Sequence, residues 1–472
     1  MFEKPFRMHP SIIIEQVFQM FWATIFLVFT FGRSYNLLLV GSICFAVYFL
    51  IIWVYAMRWR KTFISITGDS LLIEKRLLFH KKTVIGIKNI SNINMEQKLF
   101  QRLIGTCQIK LDTNSSSTAD QTDVTLVLKK SVAIEFSNYI NQFLTQEENV
   151  EISEDKSKEK SEENDFDFSY GFTEVLAHTI LSVQTYQIAV LIAFLIGAFF
   201  FIQEDITEIL HNDSIWGMIL GFVLLVGSYV TRLFQSLFRL YGFQIARQND
   251  KIKLQYGLLS KKDYLIPVDK IHAIKIKEPP LARFMGKCFV EIINVGMGNE
   301  KEESSTLLLL ASKSEIEQRL SIILPEMKID FARESQPKAA LIPITIQAIV
   351  IAGIVSIIIL AITKRPWIIL VIVSVILLFI LSGYYSKKIK LEEERVHLTS
   401  GIFGITTSVI SYRYIEKMTL HYSLLTKKLG IAKAEISILA STTNRMHTTG
   451  YFPSAIFERI ADKMLHGKAK RS

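Results

Sequence analysis

Long apolar stretches alternate with stretches of mixed polarity along this chain. Six of them approach or reach the roughly 20 apolar residues that a helix needs to cross the hydrocarbon core of a bilayer. They are 12–31, 37–57, 181–202, 215–238, 341–362 and 367–385. The runs come in pairs, and a short connection joins the two members of each pair. The pattern therefore predicts six transmembrane helices arranged as three hairpins.

The first apolar run is the weakest of the six, because it carries Glu15, Gln16 and Gln19 near its start. A cleaved signal peptide is an alternative for this run, since Lys4 and Arg7 precede it. However, no small-x-small cleavage site follows it, and another hydrophobic run begins within six residues. We therefore expect an uncleaved membrane helix.

A similar segment follows each predicted hairpin. RLIGTCQIKL, RFMGKCFVEI and KKLGIAKAEI align on Gly105, Gly286 and Gly430, and the alignment extends without a gap over about thirty preceding residues. A basic residue lies three positions before each glycine, and apolar residues lie twelve and fifteen positions before it. These signature residues are Ile90, Ile93 and Arg102, then Ile271, Ile274 and Arg283, then Ile415, Met418 and Lys427. Self-similarity of this length predicts three repeats of one structural unit.

The three repeats share a predicted order of strands and a closing helix. Alternating apolar positions after the glycine, as in 107–111, predict a strand with one buried face. Another strand is predicted at 124–128 and at 306–310, and apolar residues at helical spacing then predict a helix in each repeat. Ser312 and Ser454 are suitable N-cap residues for two of these helices. The expected fold class is therefore membrane α-helical hairpins plus small α+β domains.

This combination of elements resembles the bacterial membrane-anchored pleckstrin-homology-like (PH-like) family, the bPH2 domain family. The resemblance rests on a hairpin, an I-x-x-I element, an R-x-x-G element and a final helix, which occur three times over nearly the whole chain. It implies three PH-like domains, each a bent seven-stranded antiparallel sheet capped by a C-terminal helix. It also implies a role in tolerance or immunity toward membrane-active peptides, often beside a smaller single-domain partner.

The predicted domain boundaries follow from these elements. Hairpins are expected at 1–61, 170–240 and 331–386, and PH-like domains at 62–145, 241–330 and 387–472. Between the first domain and the second hairpin, residues 146–169 carry ten acidic and three basic side chains and few apolar ones. Such a segment cannot bury enough apolar surface to fold, which predicts a disordered linker.

Basic residues at the membrane ends indicate the orientation of the helices. Lysines and arginines cluster where the second, fourth and sixth apolar runs end, whereas the tips of the first two hairpins carry little positive charge. The third tip, with Lys364 and Arg365, is the exception. We therefore expect a multi-pass cell-membrane protein whose termini and PH-like domains are cytoplasmic.

Composition supports a membrane protein and limits its partners. Half of the 472 residues are hydrophobic. The acidic linker contributes about −7 to the net charge of +10, so the rest of the chain carries about +17. A basic surface at an anionic leaflet gains on the order of 1 kcal/mol per Lys or Arg. The bilayer and its anionic lipids are therefore the expected partners, rather than nucleic acid, although orientation signals and solvated faces account for this charge equally well.

Motifs for enzymatic chemistry are absent from the sequence, which contains no P-loop, H-E-x-x-H, G-x-S-x-G or C-x-x-C. The nine histidines are scattered. Cys107 and Cys288 occupy the same strand position, where the third repeat has Ala432, so we interpret these thiols as small packing residues. We expect a non-enzymatic protein with no catalytic residue, cofactor or metal site.

Three classes of function remain open. The resemblance favours a membrane complex that protects the bilayer against foreign peptides, formed with a smaller single-domain partner or as a homo-oligomer. A membrane scaffold that recruits cytoplasmic or lipid partners is one alternative. A transporter of an amphipathic substrate is the other, although Glu15 is the only acidic candidate for ion coupling within the predicted helices.

Overall fold

The computed structural model of this protein describes residues 2, 4–32, 37–76, 80–113, 124–146, 166–202, 214–294, 305–327, 329, 333–363, 366–438, 440 and 445–469. The chain divides into two compact units. The first comprises Met1–Asp165, Leu259–Leu265 and Gly296–Asn299, and the second comprises Phe166–Leu258, Ile266–Val295 and Glu300–Ser472.

The first repeat begins with two membrane helices and continues as two sets of three strands. Its elements are α1 (Ser11–Gly32), α2 (Leu37–Arg60), β1 (Thr62–Thr67), β2 (Ser70–Arg76), β3 (His80–Gly86), β4 (Ile90–Lys98), α3 (Leu99–Ile104), β5 (Thr106–Thr113), β6 (Val124–Lys129) and α4 (Lys130–Gln146). A single turn of 3-10 helix, Ile87–Asn89, separates β3 from β4.

The second and third repeats follow the same order of elements. The second contains β7 (Phe168–Ser169), α5 (Phe172–Leu181), α6 (Thr185–Ile202), α7 (Ser214–Leu240), β8 (Gln244–Gln248), β9 (Lys251–Tyr256), β10 (Ser260–Pro267), β11 (Ile271–Glu278), α8 (Pro280–Phe284), β12 (Lys287–Asn294), β13 (Ser305–Ser312) and α9 (Lys313–Ile323). The third contains β14 (Glu334–Ser335), α10 (Leu341–Thr363), α11 (Pro366–Ser386), β15 (Lys388–Leu391), β16 (Arg395–Gly401), β17 (Ile405–Ser411), β18 (Ile415–His421), α12 (Leu424–Lys428), β19 (Ile431–Ile438), β20 (Met446–Pro453) and α13 (Ser454–Ala469). The predicted helices and strands of the PH-like domains are thus present, and Ser312 caps α9 by accepting a hydrogen bond from the Glu315 backbone N–H.

Both strand sets of the first repeat contribute to one hydrophobic core. Ile66 of β1, Ile109 of β5 and Phe136 of α4 are all buried in it, together with Phe2 from the segment before the hairpin. Burial of a side chain of this size is worth about 1.5–3 kcal/mol. The core therefore holds the two sheets and the closing helix together as one domain.

Each membrane hairpin is inserted into its domain rather than placed before it. The segment that precedes each hairpin forms an antiparallel bridge or a short strand with the first long strand that follows the hairpin. The paired residues are Phe6 and Ile64, Phe168 and Ile245, and Glu334 and Ile389. Ile64, Ile245 and Ile389 each lie forty-one residues before the repeat glycine, and all three are buried. Both ends of a hairpin are therefore anchored in the same domain.

The expected single bent sheet is divided at the 3-10 turn, and its two halves pair differently. In the first unit, β4 pairs not only with β5 but also with Ser260–Tyr264 of β10, a strand of the second repeat. In the second unit, β11 pairs with both β12 and β17. The last strands of one repeat thus join the first strands of the next, which gives the order β13-β12-β11-β17-β16-β15-β14 in the second unit.

The two junctions between repeats have the same register. Glu96 lies opposite Lys262 in the first unit, and Lys277 lies opposite Thr406 in the second. In both cases the position nine residues before one repeat glycine faces the position twenty-four residues before the next. The junction is therefore a repeated feature of the fold.

Four of the six predicted membrane helices are long and apolar enough to cross a bilayer, counted over the described residues: Ser11–Phe31, Leu38–Arg60, Ile219–Leu240 and Lys338–Ile357. The sixth run lies in α11, whose described apolar part, Val373–Ser386, is shorter than the other four. The helix predicted at 181–202 begins four residues later, as α6 at Thr185, and continues to Ile202. Phe172–Leu181 and Tyr186–Leu195 are bent by 59°, because the Gln184 backbone N–H donates to Gln187 Oε1 and starts a new helix. Six membrane helices are therefore not confirmed.

The predicted acidic linker lies largely outside the described residues. Its first position, Gln146, belongs to the end of α4, and Phe168 and Ser169 form β7. These assignments shorten the predicted linker at both ends.

Candidate functional site

The twelve signature residues lie at three equivalent sets of positions and do not come together as one site. Ile90, Ile271 and Ile415 are buried at the start of β4, β11 and β18. Ile93 and Ile274 are buried three residues later, and Met418 packs half-buried against the core of the third repeat. Their placement fits a role in folding.

The R-x-x-G element is a short helix followed by a glycine. Gly105, Gly286 and Gly430 have φ values of 75°, 68° and 65°, in the left-handed region that favours glycine. Each glycine N–H donates to the carbonyl of the basic signature residue; those residues are Arg102, Arg283 and Lys427. The Arg283 side chain also reaches the next repeat, since its Nη1 donates to the Phe403 carbonyl at 3.0 Å.

An acidic side chain contacts a lysine or a histidine at the same two positions of every repeat. One member lies nine residues before the repeat glycine and the other five residues after it. The pairs are Glu96 with Lys110 at 2.8 Å, Lys277 with Glu291 at 2.7 Å, and His421 with Glu435 at 3.8 Å. In the first pair the acidic residue comes first along the chain, and in the second pair the basic residue comes first. The sequence analysis missed this pair, although aligning the repeats at both positions could have revealed it.

The pairs in the first two repeats lie at the junctions and are shielded from solvent. Burial raises the pKa of Glu96, but Lys110, Lys262 and the hydroxyl of Ser260 outweigh that effect, so its pKa lies below the ordinary value. Ser260 Oγ donates to Glu96 Oε1 at 2.9 Å. Lys275 lies two residues before Lys277 in β11, and burial followed by repulsion from Lys277 lowers its pKa to about 8. These groups make the junction sensitive to changes of charge.

A cavity lies at the base of the first hairpin, where the chain leaves the PH-like domain and enters α1. Its volume is about 330 Å³, and it is lined by Phe2, Phe6, Arg7, Met8, His9, Pro10, Leu128, Lys129 and Val132. Trp59, at the end of α2, donates from Nε1 to the Met8 carbonyl at 2.8 Å and so ties the hairpin to this wall. The cavity is a candidate ligand site, because it combines basic and apolar side chains at the point where the chain enters the first hairpin.

Two permanent cations and an apolar wall define the chemistry of this cavity. The Arg7 guanidinium carbon lies 4.7 Å from the centroid of the Phe63 ring, which orients that side chain by a cation–π contact. Burial, followed by repulsion from Lys129, lowers the pKa of His9, and His9 Nδ1 accepts a hydrogen bond from the Ser11 backbone N–H at 3.3 Å. Arg7 and Lys129 therefore supply the positive charge. An anionic headgroup with an attached hydrocarbon portion fits this combination.

The two cysteines named in the sequence analysis and the buried His178 have structural surroundings. Burial raises the pKa of Cys107 to about 11 and that of Cys288 to about 12, so both thiols stay protonated. His178 is buried, and its Nδ1 accepts a hydrogen bond from the Leu310 backbone N–H. Within the described residues, no group of three or more His, Cys, Asp or Glu side chains could hold a metal ion.

Glu15, the one acidic candidate for ion coupling, is paired at the domain end of α1. It forms an ion pair with Lys98, and Gln101 Nε2 donates to Glu15 Oε2 at 3.2 Å. Lys98 is the last residue of β4 and Gln101 belongs to α3, so this carboxylate links the membrane helix to the PH-like domain. Its geometry fits an anchor rather than a mid-membrane proton carrier.

Comparison with known proteins matches the repeat boundaries described above. The family model for the bacterial PH domain matches three times, at residues 14–144, 188–327 and 342–466. A curated relative, the UPF0699 transmembrane protein YdbT of Bacillus subtilis (strain 168), is 23% identical over 475 residues and is aligned over 94% of each chain. No solved structure matches the chain. Each family match begins within the first helix of a hairpin or its continuation and extends to the closing helix of the domain or just beyond it.

Proposed function

The chain belongs to the bacterial PH domain family, and from that premise we propose that it is a non-enzymatic membrane protein that protects the bilayer against membrane-active antimicrobial peptides as part of a membrane complex. It is a YdbT-like transmembrane protein with repeated bacterial PH domains. The antimicrobial role is the step beyond that description. The observation that best supports it is the insertion of every hairpin into its own domain.

Insertion couples the bilayer to the domains mechanically. A hairpin whose two ends are fixed by strand pairing, as at Phe168–Ile245 and Glu334–Ile389, cannot tilt or separate without straining a sheet. In the second unit, the strands of the second and third repeats share one seven-stranded sheet, which links their two hairpins. Such an arrangement suits a protein that resists or detects a foreign peptide among its membrane helices.

The proposed orientation places the termini and the PH-like domains in the cytoplasm. A single cysteine introduced in 203–213, the tip of the second hairpin, is then labelled by an impermeant maleimide added to intact cells. A cysteine at the exposed β3 position Lys81 is labelled only after the cells are opened. The native Cys44 is replaced by alanine in both variants. The reverse labelling pattern contradicts the orientation.

Anionic lipid is the proposed ligand of the cavity at the base of the first hairpin. The double variant Arg7→Gln/Lys129→Gln removes both permanent cations from the wall while leaving its apolar side chains in place. We expect it to retain less phosphatidylglycerol than the wild type when it is purified in detergent, as read by lipid extraction and mass spectrometry. Lys82→Gln on the exposed strand β3 is the matched control. Equal retention in all three proteins contradicts this assignment.

The alternative functions have less support from the geometry. A transporter is less well supported, because Glu15, the acidic candidate for ion coupling, is paired with Lys98 at the domain end of α1. A scaffold that recruits cytoplasmic proteins is the second candidate, and the open edges of β3 and β18 in the described residues favour it. The scaffold reading predicts soluble proteins in a pull-down from detergent extracts, whereas the transporter reading predicts substrate flux in proteoliposomes.

Deletion of the gene tests the protective role. Cells without the protein are challenged with a panel of cyclic and leaderless bacteriocins, and we expect the inhibitory concentration of at least one of them to fall. Expression of the wild-type chain restores tolerance. Unchanged sensitivity across the whole panel contradicts the proposed function. The Arg7→Gln/Lys129→Gln variant then shows whether protection requires the cavity.

A further inference from the structure

Two strands lack a neighbour that their counterparts in the other repeats have. Among the described residues, β3 pairs only with β2, and β18 pairs only with β19. The strands equivalent to β3 are β10 and β17, which pair with β4 and β11 of the preceding repeat. The chain of repeats therefore ends in two complementary open edges, one on the first repeat and one on the third.

Side chains of β3 are more exposed than those at the equivalent positions of β10 and β17, as expected for a strand without a second neighbour. Val84 is 59% exposed, whereas Val409, at the same repeat position in β17, is fully buried. Lys81 is exposed, whereas Lys262, at the same position in β10, is only 9% exposed. β3 thus presents to solvent a surface that its counterparts bury.

The recurrent ion pair is likewise open only in the third repeat. The side chains of Glu96 and Lys110 are 11% and 14% exposed, and those of Lys277 and Glu291 are 29% and 9% exposed. In the third repeat, His421 is 56% exposed and Glu435 is 28% exposed. The pair that faces a following repeat is shielded, and the pair on the open edge is not.

We propose that β18 of one molecule of this chain pairs antiparallel with β3 of a second molecule, in the register that already joins the repeats. That register places Lys81 opposite His421, as Lys262 lies opposite Glu96 inside the chain. It also places Thr83 opposite Thr419 and Val84 opposite Met418. A contact between two different edges is heterologous, so it builds head-to-tail chains of molecules in the membrane.

Continuity with the internal junctions supports a second molecule as the occupant, because both of them join the same two repeat positions that the open edges present. At the first internal junction, the carboxylate of Glu96 is shared between two bases, Lys110 and Lys262. At the proposed contact, His421 holds the central position: it faces Lys81 of the other molecule and contacts Glu435 of β19 on its other side, so the row again contains two bases and one carboxylate. Lysines also occur on sheet edges that remain unpaired, where they oppose aggregation, and this is the competing outcome of the test.

Cysteine cross-linking reads the register directly. Two differently tagged chains are expressed together, one with Thr83→Cys and the other with Thr419→Cys, both carrying Cys44→Ala. The equivalent positions pair inside the chain, as Asn94 with Tyr264 and Lys275 with Ser408. Mild oxidation of native membranes is expected to give a disulfide-linked pair of tagged chains. The offset pair Lys81→Cys with Thr419→Cys, two residues out of register, is expected to give at least five-fold less.

A charge exchange tests the chemistry of the contact in the same assay. In this register Lys81 faces His421, so we expect His421→Lys in the second chain to lower the cross-linked fraction several-fold, and Lys81→Glu in the first chain to restore it. Lys82→Glu, on the opposite face of β3, is the control. Absence of a cross-link in membranes that contain only this chain overturns the proposal, whether the edges stay unpaired or a smaller protein occupies them. Equal cross-linking of the offset pair overturns it as well. Peptide sensitivity does not enter this assay, so its outcome is independent of the proposed function.

Discussion

The ion pair between Lys277 and Glu291 should stabilise the fold, so reversing one of its charges should lower the free energy of unfolding. Lys277→Glu replaces the attraction between Lys277 and Glu291 by repulsion between two carboxylates in the junction of the second and third repeats. Breaking a fully buried pair costs about 3–5 kcal/mol. Because the two side chains are 29% and 9% exposed, solvent screens part of the interaction, and we expect a loss of about 2–3 kcal/mol.

The exchanged variant Lys277→Glu/Glu291→Lys distinguishes this ion pair from a generic packing defect. The first repeat has the same arrangement as the exchanged variant, a glutamate before the repeat glycine and a lysine after it, with Glu96 and Lys110 at 2.8 Å. The exchange leaves Lys275 with one acidic and one basic neighbour, because the carboxylate moves from position 291, opposite Lys275, to position 277 on the same strand. We therefore expect the exchanged variant to lie within about 1 kcal/mol of the wild type.

Thermal unfolding of the full chain in lipid nanodiscs measures the effect. The unfolding midpoint, read by circular dichroism in the β-sheet region, is expected to fall by about 5–10 °C for Lys277→Glu, and the exchanged variant is expected to recover most of that loss. Glu291→Lys alone is the second arm of the double-mutant cycle. If the exchanged variant is as unstable as the single variants, the pair is not an interchangeable electrostatic contact and the reasoning fails.

Three further predictions concern pH, thiol reactivity and glycine geometry. Burial lowers the pKa of Lys275 to about 8, below its unfolded value of about 10.4. The charged lysine therefore destabilises the fold fully below pH 8, and this cost is relieved as the pH rises toward 10. The free energy of unfolding of the wild type should rise over that range relative to Lys275→Met, and a constant difference contradicts the prediction. Because the pKa of Cys288 is raised to about 12 by burial, iodoacetamide should modify it only after unfolding, and rapid alkylation of the folded protein contradicts this. A Cβ on Gly401 would lie 1.9 Å from the Gly404 carbonyl oxygen, whereas one on Gly430 meets nothing within 4 Å. Gly430→Ala should therefore cost only the left-handed backbone strain of about 1–2 kcal/mol. Gly401→Ala should lower the unfolding midpoint more than Gly430→Ala does.

The repeated unit could be predicted from sequence because its signals are local. A fixed spacing before Gly105, Gly286 and Gly430, alternating apolar positions after them and a helical pattern at the end identify strands and helices without knowledge of their partners. The cysteine positions were also readable, since an alanine in the third repeat indicated a packing role. These predictions depend only on periodicity and side-chain size.

The features that sequence reasoning missed depend on distant partners or on very short elements. The two-residue strands at Phe168–Ser169 and Glu334–Ser335 are too short to show an alternating pattern. The helix break near Gln184 was hidden because apolar residues continue on both sides of it. The pairing of β11 with β17 joins segments more than a hundred residues apart, and no local pattern specifies which edge a strand will meet. The cavity at the base of the first hairpin was missed for the same reason, because its wall combines the segment before α1 with the end of β6.

The central claim is that successive repeats are joined edge to edge in one register, and a cysteine pair within the second unit tests it most directly. Lys275 and Ser408 lie opposite each other in β11 and β17, within the 4.4–6.8 Å Cα separation that a disulfide spans. We predict that Lys275→Cys/Ser408→Cys forms an intrachain disulfide on mild oxidation in membranes, detected by mass spectrometry, and that Lys275→Cys/Thr406→Cys does not. Equal oxidation of both pairs, or preferential oxidation of the offset pair, would contradict the account.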